Sequence, residues 1–197
     1  MRILIAVPTF ENISPPTFRS IYRLDRGGHD LDFDFVRGYD CAKARNEIAN
    51  RAMSGGFDSV LMVDSDIELP PDALTRLASA ERDVILGWYI HRPKRGPEDE
   101  RSSLYLESYS KPMSVEDVMG YNAPFKVHGG GFGCALVMTR VFNAVQYPWF
   151  NYVKYRNKTF LSEDLHFCSA CEKARIDIWA EPGVRCGHEV RYVKYPE

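Results

Sequence analysis

The sequence has no long apolar run and little net charge. None of its apolar stretches approaches the roughly 18 residues that a membrane-spanning helix needs. The N-terminal run at residues 3–7 ends at Pro8 and is too short for the core of a signal peptide. With 25 basic and 27 acidic residues, the formal charge of −2 gives no overall attraction to nucleic acid or to an anionic membrane. The sequence therefore predicts a cytoplasmic protein without a transmembrane segment.

Cysteine is also scarce, and repeats and low-complexity tracts are lacking. Five cysteines, an odd number without secretory context, predict reduced thiols rather than a disulfide framework. The glycine-rich residues 129–133 lack the Lys-Ser/Thr of a P-loop and do not match the dinucleotide fingerprint. The 45% of hydrophobic residues in a chain of 197 is enough for one buried core, so we expect one domain over residues 1–197.

Hydrophobic periodicity predicts alternating strands and helices. Strands are predicted at residues 2–7, 31–36, 59–63, 84–89, 134–138 and 176–180. Helices are predicted at residues 15–24 and 41–53, around 74–78, and at 140–145 and 163–174. Parallel strands need crossover connections of this kind. The sequence therefore predicts an α/β fold with a mostly parallel central sheet flanked by helices.

Asp64 and Asp66 come directly after the predicted strand at residues 59–63. In sheets of this class, ligands bind beyond the carboxyl ends of the strands. Mg²⁺ and Mn²⁺ prefer oxygen ligands, and Mg²⁺ commonly takes only one or two carboxylates. Because surface turns are also rich in aspartate, the triplet by itself fits either an exposed turn or a divalent-metal site.

Three further residues carry chemistry later in the chain. Glu163 and Asp164 begin a predicted helix, where acids complement the helix dipole or where one of them can act as a general base. His188 follows a predicted strand and fits either a structural role or a third ligand for a Mn²⁺-like metal. Spacing alone leaves these alternatives open.

The cysteines offer a different metal site. Cys168 and Cys171, together with Cys186 and His188, have the composition of a Cys₃His zinc site. Such a site would make the chain a non-catalytic, zinc-stabilised binding module. The first pair lies on an amphipathic helix, however, where two small buried thiols explain it equally well.

Six motifs follow one another at residues 7–11, 43–46, 63–66 with 70–71, 130–133, 162–164 and 186–188. Taken in this order, they resemble a GT-A glycosyltransferase of the family 2-like group, over nearly the whole chain. The resemblance implies a single GT-A domain with a nucleotide-binding half at 1–90 and an acceptor-binding and catalytic half at 91–197. It implies sugar transfer from a nucleotide sugar, UDP-linked, to a hydroxyl acceptor, with Mn²⁺ or Mg²⁺ as cofactor. Inversion at the anomeric carbon is implied, although a C-terminal metal histidine also occurs in retaining enzymes.

The resemblance also implies a role for each residue. Asp66 and His188 ligate the metal, and Asp64 bonds the ribose or a metal-bound water, or is itself a ligand. Asp164 is the implied base, and Glu163 contacts hydroxyls of acceptor or donor. The other residues implied at the nucleotide sugar are Pro8, Thr9, Glu11, Arg45, Ser65, Gly130 and Gly131.

Other interpretations remain beside this one. A sugar-phosphate nucleotidyltransferase also uses such a sheet, a nucleotide and a metal-binding aspartate, but it usually has a glycine-rich basic loop where this chain has residues 8–12. The acceptor stays open between a glycan, a lipid-linked sugar, a protein and a nucleic acid. The last option comes from basic residues among aromatic ones, namely His91, Arg92, Lys94, Arg95, Arg101, Lys154, Arg156 and Lys158 near Tyr152, Tyr155 and Phe160.

Overall fold

A computed structural model describes residues 1–38, 40–91, 100–155 and 158–189 of the chain. The helices are α1 (Pro15–Tyr22), α2 (Cys41–Ser54), α3 (Ala73–Ser79), α4 (Val115–Met119), α5 (Arg140–Ala144) and α6 (Glu163–Lys173). The strands are β1 (Arg2–Thr9), β2 (Asp30–Arg37), β3 (Ser59–Val63), β4 (Ile67–Glu68), β5 (Val84–Trp88), β6 (Leu104–Tyr105), β7 (Phe125–Val127), β8 (Gly129–Gly130), β9 (Cys134–Met138), β10 (Val153–Tyr155), β11 (Lys158–Leu161), β12 (Ile178–Arg185) and β13 (Gly187–His188).

Within the described residues, a central sheet of seven strands has the order β2-β1-β3-β9-β5-β12-β7. Strand β1 is parallel to β2 and β3, and β5 is parallel to β12. Strand β9 is antiparallel to both β3 and β5, and β7 is antiparallel to β12. Strands β1, β2, β3, β5 and β12 therefore share one direction, which confirms the α/β class and the mostly parallel sheet.

Helices cover both faces of this sheet, and the alternation of side chains along each strand divides the core accordingly. Even-numbered residues of β1 and β3, such as Leu4 and Met62, belong to one buried cluster together with α2 and α6. Odd-numbered residues, such as Ile5 and Leu61, belong to a second cluster with α3. Strands β3 and β5 are buried along their whole length, since both of their faces pack against these layers.

Helices α1 and α2 each begin after a polar residue whose side chain caps the first turn. The Ser14 hydroxyl accepts a hydrogen bond from the Thr17 N–H at 3.2 Å, and Oδ1 of Asp40 accepts one from the Lys43 N–H at 3.1 Å. Both bonds satisfy a backbone donor in the first helical turn, which has no partner inside the helix. In this part of the chain, local sequence determines where helices begin.

Several short elements of the second half are absent from the predicted strands and helices, among them β8 and β13. Strand β8 consists of two glycines and pairs antiparallel with β6 so that Leu104 lies opposite Gly130. Helix α4 and the β10–β11 hairpin were not predicted, because elements of three to five residues contain too few periods for a recognisable pattern. In the described part of the chain, no helix is both long and apolar enough to cross a lipid bilayer.

Candidate active site

Segments from both halves of the chain meet at the carboxyl edge of the sheet, where the parallel strands end. Strand β3 ends at Val63, directly before Asp64, and β4 follows at Ile67. Strand β13 pairs antiparallel with β4, which places His188 opposite Ile67. The Glu189 N–H donates to the carbonyl oxygen of Asp66 at 2.8 Å and closes the same ladder. The pairing of β4 with β13 thus holds His188 beside Asp66, although more than half of the chain length separates the two residues in the sequence.

The imidazole of His188 has a defined orientation. Its Nδ1 lies 2.8 Å from the carbonyl oxygen of Ile90, and since a carbonyl only accepts, Nδ1 carries the proton. Nε2 then faces Oδ2 of Asp66 at 3.5 Å. A neutral imidazole presents a lone pair there, so two electron-rich atoms face each other. A cation between them, either a proton or a metal ion, stabilises this arrangement.

The distance between these two atoms fits a shared metal ion. Metal–ligand bonds of about 2.1 Å place neighbouring ligand atoms about 3.0 to 3.5 Å apart. The backbone bond at Nδ1 is the usual outer contact of a metal-binding histidine. Within the described residues, however, no three His, Cys, Asp or Glu side chains converge closely enough to hold a metal. Asp66 and His188 therefore form a pair of candidate ligands rather than a complete set.

Asp64 makes a different contact from the one expected of a metal ligand. Its Oδ1 accepts a hydrogen bond of 2.8 Å from Nη2 of Arg45, whose side chain is 2% exposed. Nε of Arg45 lies 3.6 Å from Oε1 of Glu163. Nε also donates to Sγ of Cys41 at 3.3 Å, whereas the buried Nη1 has no hydrogen-bond partner among the described residues. Asp64, Asp66 and His188, the three predicted metal ligands, thus line one cavity but do not converge on one ion, and Asp64 pairs with this guanidinium.

Burial and charge act in opposite directions on the acids of this cluster. Burial raises the pKa of Asp64, and the Arg45 charge offsets part of that rise. Burial also raises the pKa of Glu163, the charge of Asp164 raises it further, and Arg45 again lowers it. For Arg45, burial lowers the pKa, but the surrounding acids, Asp64 first among them, leave it well above its ordinary value. Arg45 is therefore a permanent cation among several carboxylates.

Asp164 lines the same cavity as this ion pair but makes a different hydrogen bond. Its Oδ2 accepts a hydrogen bond of 3.2 Å from the Phe132 N–H, in the turn between β8 and β9. The Phe132 ring is fully buried and packs edge-on against Phe150 and Phe167. A packed aromatic cluster thus fixes the backbone group that orients the Asp164 carboxylate, and Glu163, its neighbour in α6, is directed to Arg45.

Three cavities meet at the Asp64–Asp66 turn. The first, of about 310 Å³, is lined by both aspartates and by Pro8, Thr9, Arg45, Ser65, Glu163 and Asp164 among others. The second, of about 810 Å³, is also lined by both aspartates, and by His188 on the side of the second half. The third, of about 590 Å³, is lined by Ser65, Asp66 and Glu11. All predicted side-chain site residues therefore lie around one turn.

The predicted glycines Gly130 and Gly131 lie behind this site and are buried. A Cβ at Gly131 would collide with the hydroxyl of Tyr89, and a Cβ at Gly130 would come 2.7 Å from Leu86 Cδ1. Neither glycine is among the described residues that line the three cavities. Their small size makes room for neighbouring side chains, and a contact with a sugar stays a prediction.

The Cys₃His zinc alternative is wrong. Cys168 and Cys171 belong to the core cluster on one face of the sheet, whereas Cys186 packs against the cluster on the other face. His188 faces Asp66 at the sheet edge. Because the sheet separates the two groups of side chains, these four residues cannot share one ion.

Sequence reasoning missed several residues around the site. Cys41, the partner of Arg45 Nε, comes from the start of α2. Tyr89, Tyr105 and Tyr109 line the second cavity, together with His91 and Arg101, which were predicted as acceptor contacts. No local pattern marks the three tyrosines, because strand pairing brings them to the site from separate segments. Of the basic residues predicted to contact nucleic acid, Arg92, Lys94, Arg95 and Arg156 lie outside the described residues.

Comparison with known proteins gives a likeness in structure only. No family model matches the chain, and no curated protein matches its sequence. The crystal structure of A197 from STIV is similar with a TM-score of 0.68 and 17% identity, over 97% of this chain and 87% of that one. The crystal structure of GalNAc-T7 with UDP, GalNAc and Mn²⁺ is similar with a TM-score of 0.64 and 10% identity, over 97% of this chain and 43% of that one. At such identities the likeness shows the fold alone, an α/β fold shared with these two proteins.

Proposed function

We propose that this chain is a metal-dependent glycosyltransferase that moves a sugar from a UDP-linked donor to a hydroxyl acceptor. The observation that carries the proposal is the Asp66–His188 pair, with Nε2 and Oδ2 3.5 Å apart where three cavities meet. GalNAc-T7, whose crystal structure contains UDP, GalNAc and Mn²⁺, has a similar fold and supports the donor class. In this proposal residues 1–90 are the nucleotide-binding half of one domain, and residues 91–197 are the acceptor-binding and catalytic half.

The nucleotide occupies the cavity lined by Pro8, Thr9 and Arg45, with Glu11 and Ser65 at its border with the neighbouring cavity. The buried Nη1 of Arg45 has no described partner and donates to an oxygen of the donor. Asp64, held by the same guanidinium, accepts from a ribose hydroxyl or a metal-bound water. The diphosphate then lies against Asp66, at the turn that the cavities share.

Asp66 and His188 hold Mn²⁺ or Mg²⁺ in this proposal. A pair of protein ligands is enough, because Mg²⁺ commonly completes its octahedron with water and substrate phosphate. The ion supplies Lewis-acid stabilisation of the negative charge on the departing nucleoside diphosphate. The cluster's excess of carboxylates over its one buried guanidinium, Arg45, also favours a divalent cation here.

Asp164 is the general base. Its carboxylate, oriented by the Phe132 N–H, takes the proton of the acceptor hydroxyl as that oxygen bonds to the anomeric carbon. The bond from this carbon to the phosphate oxygen breaks, and its electron pair leaves with the nucleoside diphosphate. A single displacement of this kind inverts the anomeric centre. Glu163 is paired with Arg45. It contacts hydroxyls of the acceptor or the donor and positions them, and it does not transfer a proton.

A thermal-shift screen of nucleotide sugars with Mn²⁺ tests this function. A donor at one hundred times its Kd adds about 2.7 kcal/mol of stability, which for a chain of this size is a shift of about 5 °C or more. We expect a shift with UDP-sugars that needs Mn²⁺ and is lost in Asp66→Asn. Glu68→Gln is the matched control, since its exposed carboxylate lies two residues further on and pairs with Arg19.

Two outcomes would overturn the proposal. The first is the absence of any metal-dependent shift with all nucleotide sugars. The second is release of pyrophosphate from a nucleoside triphosphate and a sugar phosphate, which would establish the nucleotidyltransferase instead.

A further inference from the structure

We propose that the acceptor is an uncharged oligosaccharide whose sugar rings pack on Tyr105 and Tyr109. The proposal rests on the glycosyltransferase function above, because it names the acceptor of the same site. The size, wall chemistry and charge of two adjoining cavities carry it. We define the acceptor trough as the second cavity described above together with the cavity that adjoins it at Arg101 and Pro112.

The trough is long enough for a chain of sugars. Its first part, of about 810 Å³, begins at Asp66 and His188. Its second part, of about 740 Å³, adjoins the first, because Arg101 and Pro112 line both parts. A pocket for one small molecule has about 300 to 1,000 Å³. Two adjoining volumes of this size exceed the needs of a single sugar ring and fit an extended acceptor whose reacting end lies at Asp66.

The wall next to Asp66 is chemically complementary to a sugar ring. It combines the aromatic rings of Tyr89, Tyr105 and Tyr109 with the hydroxyl of Ser110 and the apolar ring of Pro112. A pyranose has faces of C–H groups and a rim of hydroxyls. The C–H groups carry a small positive charge and are attracted to the negative face of an aromatic ring, whereas the rim needs hydrogen-bonding partners.

Tyr109 is fixed in place before any ligand arrives. Its hydroxyl donates to the carbonyl oxygen of His128 at 3.3 Å, and its ring lies 4.2 Å from the imidazole of the same residue. A Cβ at Gly129 would come 2.9 Å from Cε1 of this ring, so only glycine there leaves it room. With its hydroxyl bonded to the backbone, Tyr109 offers the trough apolar ring surface, and little side-chain entropy is lost when a ligand packs on it.

Tyr105 extends this aromatic surface within the trough. Its ring meets that of Tyr109 edge-on, with 6.2 Å between centroids. Both residues line the part of the trough that begins at Asp66 and His188. The two rings therefore form one aromatic wall close to the proposed metal ligands.

The charges of the trough disfavour an anionic acceptor. Among the described residues that line its second part, Glu107, Glu116 and Asp117 oppose Arg101 and Lys111. Nucleic-acid binding depends on an excess of cations along the phosphate backbone, and acids outnumber bases here. Carboxylates accept hydrogen bonds from sugar hydroxyls, so this lining suits a neutral, hydroxyl-rich chain.

Titration calorimetry of the full chain without donor tests this proposal. The probes are neutral tetrasaccharides of glucose, mannose, galactose and N-acetylglucosamine, with an eight-nucleotide single-stranded RNA and a Ser/Thr-rich peptide for comparison. We expect at least one tetrasaccharide to bind and the other two probes not to bind. Affinity should fall about tenfold in Tyr109→Ala and in Tyr105→Ala. It should stay within about twofold in Tyr109→Phe, which keeps the ring, and in Tyr22→Ala, an 83% exposed tyrosine of α1 outside the trough.

The same samples are titrated with UDP and Mn²⁺. Normal UDP binding in every variant shows that the donor site is intact, so any loss of tetrasaccharide binding belongs to the trough. The acceptor proposal is overturned if no tetrasaccharide binds, if the alanine variants bind as well as the wild type, or if RNA or peptide binds instead. Loss of UDP–Mn²⁺ binding in the wild type itself would instead overturn the glycosyltransferase function.

Discussion

Nη2 of Arg45 donates a 2.8 Å hydrogen bond to Oδ1 of Asp64, and the guanidinium also lies 3.6 Å from Glu163. The Arg45 side chain is 2% exposed and that of Asp64 28%. One buried cation therefore links the end of β3 to the start of α6. This link positions the Asp64–Asp66 turn relative to Glu163 and Asp164, although Asp64 and Glu163 are 99 positions apart in the sequence.

Replacing Arg45 by methionine is expected to destabilise the fold. Removal of one partner from a buried pair leaves an uncompensated carboxylate and typically costs about 3 to 5 kcal/mol. The lower end applies here, since Asp64 is partly exposed. Urea unfolding measures the change. Arg51→Met on the same helix is the control, because its 43% exposed side chain pairs with Asp34 and Glu47 at the surface, where such pairs contribute less than about 1 kcal/mol. Equal losses in both variants would contradict this account.

The stability of Glu163→Gln relative to wild type should rise with pH. Burial first, and then the charge of Asp164, raise the pKa of Glu163 above its ordinary value of 4.5. A carboxyl with a higher pKa in the folded state holds its proton more tightly when folded, so its contribution to stability is lost as pH rises above about 4.5. Urea unfolding at pH 4.5 and pH 7 measures the difference. The same stability difference at both pH values would refute the prediction.

Manganese binding should depend on Asp66 and His188 together. In the presence of UDP, we expect Asp66→Asn and His188→Gln each to weaken Mn²⁺ binding by more than about tenfold, since loss even of an outer contact to a metal site costs about 10- to 100-fold. A spectroscopic Mn²⁺ titration gives the affinities, with Glu68→Gln as the control on the adjacent strand. Unchanged affinity in both variants, or stoichiometric zinc in a protein that does not respond to Mn²⁺, would exclude the site.

Asp164→Asn separates chemistry from binding. The amide oxygen can still accept from the Phe132 N–H, so the local geometry is kept, but the side chain cannot take a proton. We expect kcat for UDP release to fall about 10²- to 10⁴-fold with unchanged UDP–Mn²⁺ affinity. Glu172→Gln, an exposed acid on the same helix, should leave kcat unchanged. Retention of full activity by Asp164→Asn would remove this residue from the mechanism.

Gly131→Ala tests whether this glycine serves packing. The added Cβ meets the hydroxyl of Tyr89, a residue only 7% exposed, and overpacking of this kind costs about 1 to 3 kcal/mol. Gly120→Ala, at the end of α4, is the control. Its added Cβ would come no closer than 3.4 Å to the backbone oxygen of Asp117, which is an ordinary contact. Urea unfolding compares them, and equal stability of both variants would show that Tyr89 adjusts without cost.

The sequence by itself determined the local elements and the class of fold. The predicted strands at residues 59–63 and 134–138 coincide with β3 and β9, because buried strands are continuous apolar runs that can be recognised locally. The order of strands and helices also gave the mostly parallel sheet, since parallel strands need crossovers. The position of Asp64 and Asp66 after a strand placed them at the edge where ligands bind.

Tertiary structure alone decided which residues meet at that edge. The insertion of β9 between β3 and β5, the ladder that places His188 by Asp66, and the separation of Cys168 from Cys186 all depend on strand pairing over long sequence distances. The hydrogen bond between Asp64 and Arg45 and the ring contact between Tyr105 and Tyr109 depend on side-chain packing in three dimensions. Periodicity and capping express preferences within a few residues of the chain, whereas these contacts are selected only by the burial and pairing of the whole fold.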